Sequence, residues 1–386
     1  MDQEVSFQAV AAELRGVFHA YEESPSGAEE NALSEERFDR LARFLFAAQC
    51  AASPVYARHC RSLGRTPQTV KNWREIPAVS TAALREIDFS PISPARRTKV
   101  FRSSGTAGSR RSVQAHHPDS LALYEASLWP PFRKRVLTGL EPGGRWAAVS
   151  LTPPPEQAPE SSLVHMIAAA IRRARPERSG FFATAEADGG WRLEAEKLLA
   201  ELKTLCAEGR PACVLGTAFS FAHLLDEAQR RGVKLRLPEG SRAMETGGYK
   251  GRSRELPKTE LYARLGDALG LPASCVVSEY GMCELSSQAY DAAARAEGQP
   301  VPLERRAFRF PPWARVRIIA PESGREAAPG EIGLLEVIDL ANVWALAAVQ
   351  TEDLAIPVGD GGFHFAGRAP KAEPRGCSFL PKETAP

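Results

Sequence analysis

A chain of 386 residues that is 44% hydrophobic and 25% charged can bury a sizeable core, and at roughly 150 residues per lobe its length suggests two lobes. Its 49 lysines and arginines against 47 aspartates and glutamates leave a formal net charge of +2, which supplies no field for gathering polyanions and argues against nucleic-acid partners. Its 7 cysteines are odd in number and lack a C-x-x-C pair, which argues against a disulfide framework and a structural zinc site. The acidic start, Met1-Asp2-Gln3-Glu4, lacks the basic flank and apolar core of a secretory signal. The longest apolar stretch, 163–171, is too short to span a bilayer and contains His165. These features predict a cytoplasmic protein with no membrane span.

In chain order, the first ninety or so residues read as a helical collar, with Phe38, Leu41, Phe44 and Leu45 on one face ahead of the loop Ala52-Ser53-Pro54. A loop rich in Ser, Gly and Arg covers 102–112, and a helix follows from Pro118 through Leu128 with Asp119 in its first turn. Pro153-Pro154-Pro155 reads as a surface turn. His165 sits on an apolar helical run, where a histidine is more often a satisfied core residue than a ligand. The centre then alternates between the two periods, as a layered α/β lobe with parallel strands requires. Leu198, Leu199, Leu202 and Leu205 form a helical stripe, 212–216 a buried strand, 221–229 a helix, Leu261 and Leu265 part of another, and 274–277 a strand. From Arg315 to Val337 the alternation is that of a partly exposed sheet or barrel. The basic pairs and triplets, such as Arg110-Arg111 and Arg133-Lys134-Arg135, read as solvated faces.

Four short segments carry chemistry. In Ser103-Ser104-Gly105-Thr106-Ala107-Gly108 small residues let the backbone approach an anion while hydroxyls and N–H groups surround it. The Walker pattern is excluded, because Gly108 is followed by Ser109-Arg110 and not by Lys and Ser/Thr. Tyr280-Gly281-Met282-Cys283-Glu284 sets an aromatic ring, a glycine and a carboxylate together. Tyr280 can stack a purine and Glu284 can hold a magnesium ion through oxygen; the plainer reading is a strand-to-helix turn with a half-buried tyrosine. Asp353 can accept hydrogen bonds from both hydroxyls of a ribose, or mark a surface turn. Gly367-Arg368 and Arg375-Gly376-Cys377 close the series.

Taken in order, Ser104 to Gly108, Gly247-Gly248 with Tyr249, Tyr280 to Glu284, Asp353 and Gly367-Arg368 resemble the core motifs of the adenylate-forming superfamily of acyl-CoA synthetases, luciferases and peptide-synthetase adenylation domains. A narrower resemblance is to the LuxE family of acyl-protein synthetases. It rests on Ala52 to Tyr56, Glu75-Ile76-Pro77, Glu245 to Ser253, Tyr280 to Gln288 and the tail Arg375 to Ser378, which together cover nearly the whole chain. The resemblance implies an α/β fold of the adenylate-forming N-terminal-domain type: layered sheets flanked by helices, a small β-barrel-like region, and a C-terminal lobe missing or reduced to a tail. On that pattern residues 1–366 form the acyl-activating domain and 367–386 a hinge and short tail. It implies ATP and Mg²⁺ as cofactors, a carboxylic, fatty acid as substrate, and an acyl reductase subunit as partner. Cys377 matches the cysteine that takes the acyl group, with Lys371 and Arg375 near enough in sequence to favour its thiolate, and Arg368 is expected at the phosphate or ribose.

Two departures qualify the pattern. No lysine follows Gly108, so Arg110 or Arg111 is expected on the phosphates. Cys283 replaces the usual threonine, so the lost hydroxyl is expected from Ser286 or Ser287. An aryl- or acyl-CoA ligase, a phenazine-pathway relative and a non-catalytic nucleotide-binding scaffold are the rival readings.

Overall fold

The computed structural model describes residues 3–25, 32–103, 110–187, 190–247, 256–291 and 300–369. The helical collar consists of α1 (Gln3–Glu23), α2 (Glu35–Ala52) and α3 (Pro54–Ser62). Ser34 caps α2, and Ser53 both ends α2 and caps α3 by accepting from Tyr56 N, with Pro54 pre-set for the first helical position. The expected loop at Ala52-Ser53-Pro54 is therefore a tight corner. Phe38, Leu41 and Leu45 are buried as expected, but Phe44 is exposed because its position falls off that stripe.

Next come β1 (Val79–Ser80), α4 (Thr81–Glu86) and the hairpin β2 (Lys99–Arg102) with β3 (Val113–His116). Helix α5 spans Pro118–Arg135, longer than the sequence pattern predicts. His117 caps it, accepting from Asp119 N and Ser120 N. It continues through Pro130 and Pro131 because Leu128, Trp129, both prolines and Phe132 are all buried, so packing outweighs the lost backbone bonds.

The parallel region contains β4 (Ala147–Ser150), α6 (Ser162–Ala174), β5 (Arg178–Phe181), the hairpin β6 (Ala183–Ala185) and β7 (Trp191–Leu193), α7 (Ala195–Ala207), β8 (Ala212–Thr217), α8 (Ala218–Arg230), β9 (Arg242–Thr246), α9 (Lys258–Leu269) and β10 (Val276–Tyr280). The strand expected over 274–277 begins later: Ala273–Cys275 is a 3-10 turn, and the strand runs on through Tyr280. Pro153 is buried, so the expected surface turn there points inward at its first proline.

Strands β11 (Ala289–Asp291), β12 (Phe308–Arg309), β13 (Ala314–Ile319), β14 (Gly333–Asp339), β15 (Ala348–Val358) and β16 (Gly362–Arg368) pair antiparallel with their neighbours, except that β15 also pairs in parallel with β1. They continue the parallel strands into one mixed 12-stranded sheet in the order β13-β14-β15-β16-β12-β11-β10-β9-β8-β4-β5, with β1 beside β15. One face of the parallel part is covered by α5 and α6, whose Leu128, Phe132 and Ile167 meet Leu215, Met244 and Val277. The other face is covered by α7, α8 and α9, through Leu198, Phe221 and Leu265. The collar packs on Trp313, Leu340 and Trp344. Among the described residues no helix is long and apolar enough to cross a membrane.

Candidate active site

In open α/β sheets ligands gather outside the carboxyl ends of parallel strands. Here β9 and β10 run parallel, with Thr246 opposite Glu279, so Gly247 and Tyr280 emerge side by side at that edge. Gly247 is exposed, and a Cβ added to it would meet nothing, which leaves its backbone open to a ligand. Gly281 is different: a Cβ there would collide with Glu279 Oε1, so a side chain would displace that carboxyl.

Tyr280, Asp353 and Arg368, scattered along the sequence, meet here. The Tyr280 hydroxyl donates to Asp353 Oδ2 at 2.7 Å, and Arg368 Nε donates to Asp353 Oδ1 at 3.2 Å. Asp353 and Arg368 are cross-strand partners of β15 and β16, so sheet register sets their approach. Asp353 is buried inside a strand, not on a surface turn, whereas the Arg368 side chain is 78% exposed. Burial and the Asp353 carboxylate push the Tyr280 phenol well above its ordinary range, so it stays a donor. Its ring is bordered by Phe308, Phe310, Phe363 and Phe365, with centroids 5.4 to 6.2 Å away, and Phe365 is the exposed member of that nest. Tyr280, expected to stack a purine or to be a half-buried tyrosine, is buried within this nest.

Glu284 is buried on the turn that follows Tyr280. Its carboxylate accepts from the Ser112 hydroxyl and, at 3.2 Å, from Cys283 Sγ. Ser112 is in turn clasped to Ser103: Ser112 N donates to Ser103 Oγ at 3.0 Å and Ser103 N to Ser112 O at 3.1 Å. The two feet of the expected phosphate loop are therefore paired and fastened to Glu284. Arg85 of α4 forms a two-pronged ion pair with Glu352, next to Asp353, and Glu352 first and the Glu284 charge after it raise the Arg85 pKa. Arg85, Gln114 and Glu284 line a cavity of about 250 Å³. Arg110, expected on the phosphates, pairs with Glu86 at 2.6 Å.

The turn carrying Glu284 is clamped from behind. Asp339 Oδ2 accepts from Ser286 N at 2.9 Å and Ser287 N at 2.8 Å, and Asp339 Oδ1 accepts from Ser287 Oγ at 2.7 Å. Asn342 Nδ2 donates to Glu284 O at 2.8 Å and accepts from Ser286 Oγ through Oδ1. Both serine hydroxyls donate within this clamp, and the Ser112 hydroxyl, beside Cys283, donates to Glu284. Met282 packs beneath, against the core of the antiparallel region. His165 is a satisfied histidine, bonded to Glu125 Oε1 at 2.9 Å.

Arg85, Ser112 and the phenylalanine nest carry no motif. Only the position of Ser112 at the end of the Ser/Gly/Arg loop hinted at its place. Ser104, Gly105, Thr106, Ala107, Gly108, Gly248, Tyr249 and Cys377 lie outside the described residues. Among the described residues no group of three or more His, Cys, Asp or Glu side chains is placed to hold a metal ion. A lone buried carboxylate beside a paired loop suits a magnesium ion that arrives with phosphates and keeps its waters, as that ion usually does.

Burial pushes the Glu279 carboxyl up to about 7, with the Thr246 hydroxyl its partner. The folded chain therefore holds this proton to higher pH than the unfolded chain, for which the ordinary value is 4.5. Stability is fullest below that value, falls as pH rises through the window, and stays reduced above it. Glu279→Gln should consequently gain stability relative to wild type between about pH 5 and pH 8, by up to about 3 kcal/mol. Thermal melts across that range check this; a constant difference between the two proteins would refute it.

A family model described as acyl-protein synthetase, LuxE, matches residues 151–383, more than half of the chain. No curated protein sequence matches it closely. Among solved structures, a 2-hydroxyisobutyryl-CoA ligase in complex with 2-HIB-AMP and CoA in the thioesterification state aligns with a TM-score of 0.65 at 17% identity, covering 89% of this chain and 70% of that one. An open conformation of that ligase, again with 2-HIB-AMP and CoA, gives a TM-score of 0.63 at 16% identity, over 86% and 69%. At such identity the likeness establishes the fold.

Proposed function

The chain belongs to the LuxE acyl-protein synthetase family and has the fold of adenylate-forming enzymes, and from that membership we propose that it activates a carboxylic acid with ATP and passes the acyl group to its own Cys377. The observation that carries this reading is the convergence of Tyr280, Asp353 and Arg368 beside Glu284 and the clasped feet of the Ser103–Ser112 loop.

In the first step the acid's carboxylate oxygen attacks the α-phosphorus of ATP, an O–P bond forms, and pyrophosphate departs with the electrons of the bond it leaves. Asp353 accepts from the ribose hydroxyls, Tyr280 and Phe365 flank the base, and Gly247, with Gly248 and Tyr249, lies along the adenine. Ser104 to Gly108 surround the outer phosphates, and their N–H groups meet charge as it spreads onto pyrophosphate. Glu284 would hold a magnesium ion, which when bound supplies Lewis-acid charge against the phosphates. Arg368, exposed and bonded to Asp353 through one nitrogen, is the candidate for a phosphate or ribose contact. In the second step the Cys377 thiolate attacks the acyl carbonyl, a C–S bond forms, and AMP leaves.

The family's fatty acid is the starting expectation for the substrate, and an acyl reductase in the cytoplasm is the expected receiver of the thioester. Intact-mass analysis after incubation with ATP, Mg²⁺ and a panel of acids tests the acceptor. Wild type should gain a hydroxylamine-labile acyl mass that Cys377→Ser loses at least about tenfold, while acid-dependent pyrophosphate exchange stays within about threefold of wild type. Equal labelling of both proteins would remove Cys377 from the reaction and leave coenzyme A as the acceptor to test.

A further inference from the structure

Strand β16 delivers the chain to the edge of a cavity. Ala369 N, just past the strand, donates to Glu352 O at 2.8 Å, and Arg368 before it is bonded to Asp353. The Glu352 carboxylate takes the two-pronged ion pair from Arg85. Arg85 and Glu284 both line the cavity of about 250 Å³. Residues 370–386 therefore set out from a point joined to the cavity wall through Glu352 and Arg85.

The cavity grades from an exposed rim to a buried floor. Of the side chains that line it, Ile87 and Val113 are 45% and 42% exposed, while Phe89, Val349 and Glu284 are buried. Large apolar side chains left in water around a hollow mark a place where something binds. A cavity of about 150 Å³ with apolar walls admits a benzene ring, so this one has room for a phenylalanine side chain. Among residues 370–386 the large apolar side chains are Phe379 and Leu380, two and three positions after Cys377. Phe379 is ten positions from Ala369, and at about 3.3 Å per residue the chain can span roughly 33 Å, ample for a cavity whose wall is paired with Glu352.

We propose that this cavity is the docking site of the chain's own tail, with Phe379 and Leu380 entering between Ile87, Phe89 and Val113 and so holding Cys377 on the Glu284 side of the cavity. This rests on the reading of Cys377 as acyl acceptor and adds what positions it. A thiol that is tethered and also anchored spends more time at its target than one that is tethered alone, because the anchor raises its effective concentration there. Glu284 faces the phosphates in that reading, so the tail takes the cavity once pyrophosphate has left. Phe379 and Leu380 are positioning residues, and the bond-making stays with Cys377.

Single-turnover formation of the Cys377 thioester, followed by intact mass beside acid-dependent pyrophosphate exchange, tests this on the full chain. Phe379→Ala together with Leu380→Ala should slow thioester formation by about tenfold or more and leave exchange within about threefold of wild type. Ile87→Asp, on the exposed rim where a charge does not threaten the fold, should slow thioester formation by a similar factor. All three changes together should cost little more than either set, because both sets remove the same contact. Losses that multiply, or thioester formation within about threefold of wild type in both variants, would overturn the docking and leave adenylation standing. A second arm needs no activity: with Phe379→p-benzoylphenylalanine, irradiation without nucleotide should join the tail to peptides spanning 84–90 or 113–115. Adducts elsewhere, or none, would overturn the docking even where exchange is normal. Adducts at the cavity with no wild-type thioester would keep the docking and remove Cys377 as acceptor. Absence of exchange with every acid would remove the adenylation reading, with the adducts still deciding the docking.

Discussion

Asp353→Ala is expected to lower acid-dependent pyrophosphate exchange by about a hundredfold to a thousandfold in kcat/KM, chiefly through the KM for ATP. Three contacts are lost at once. The ribose loses an acceptor for its hydroxyls, a charged hydrogen bond contributing about 1.5–3 kcal/mol. The Tyr280 hydroxyl loses its 2.7 Å carboxylate partner. Arg368 loses the carboxylate that holds it at the site. Tyr280→Phe removes the hydroxyl and keeps the ring, so it should cost about tenfold or less. Comparing the two variants separates the ribose contact from the positioning of the ring. A folded Asp353→Ala protein with exchange within about threefold of wild type would remove Asp353 from the nucleotide site.

For Glu284→Gln the expected effect lies in kcat, a fall of about a hundredfold to a thousandfold, with a higher magnesium concentration needed for half-maximal exchange. The amide is nearly isosteric and still accepts from Ser112, so the fold should persist. What disappears is the negative charge that would hold the ion as pyrophosphate forms. Ser112→Ala probes the same point from behind: the carboxylate stays but loses the bond that fastens it to the loop, so a smaller fall of about tenfold is expected. Magnesium titrations of exchange measure both. An unchanged magnesium dependence in folded Glu284→Gln would leave Glu284 as a structural clasp for Ser112 and nothing more.

Some of this site was open to reading from the chain, and the reason is local. Gly247, Tyr280, Gly281 and Glu284 belong to short segments whose residue types already combine backbone openness, an aromatic face and a carboxylate. Helices α7, α8 and α9 and strands β8 and β9 follow from hydrophobic periods that a window of a dozen residues contains. Where packing decides, local signals mislead. Helix α5 runs through two prolines because they are buried. The Ser287 hydroxyl donates to Asp339 and the Ser286 hydroxyl to Asn342, partners more than fifty positions away that no local window contains.

By itself, then, the order of residues determined an α/β fold of the adenylate-forming type and membership of the LuxE family, with Tyr280, Asp353, Arg368 and Glu284 as the residues to examine. Tertiary structure decided how they meet: Asp353 lies opposite Arg368 through β15–β16 register, Arg85 reaches Glu352 from a short helix without a motif, and Glu279 is enclosed without a cation. Partners so far apart in sequence leave no periodic trace, because pairing across strands and desolvation depend on the packed whole and on no one segment.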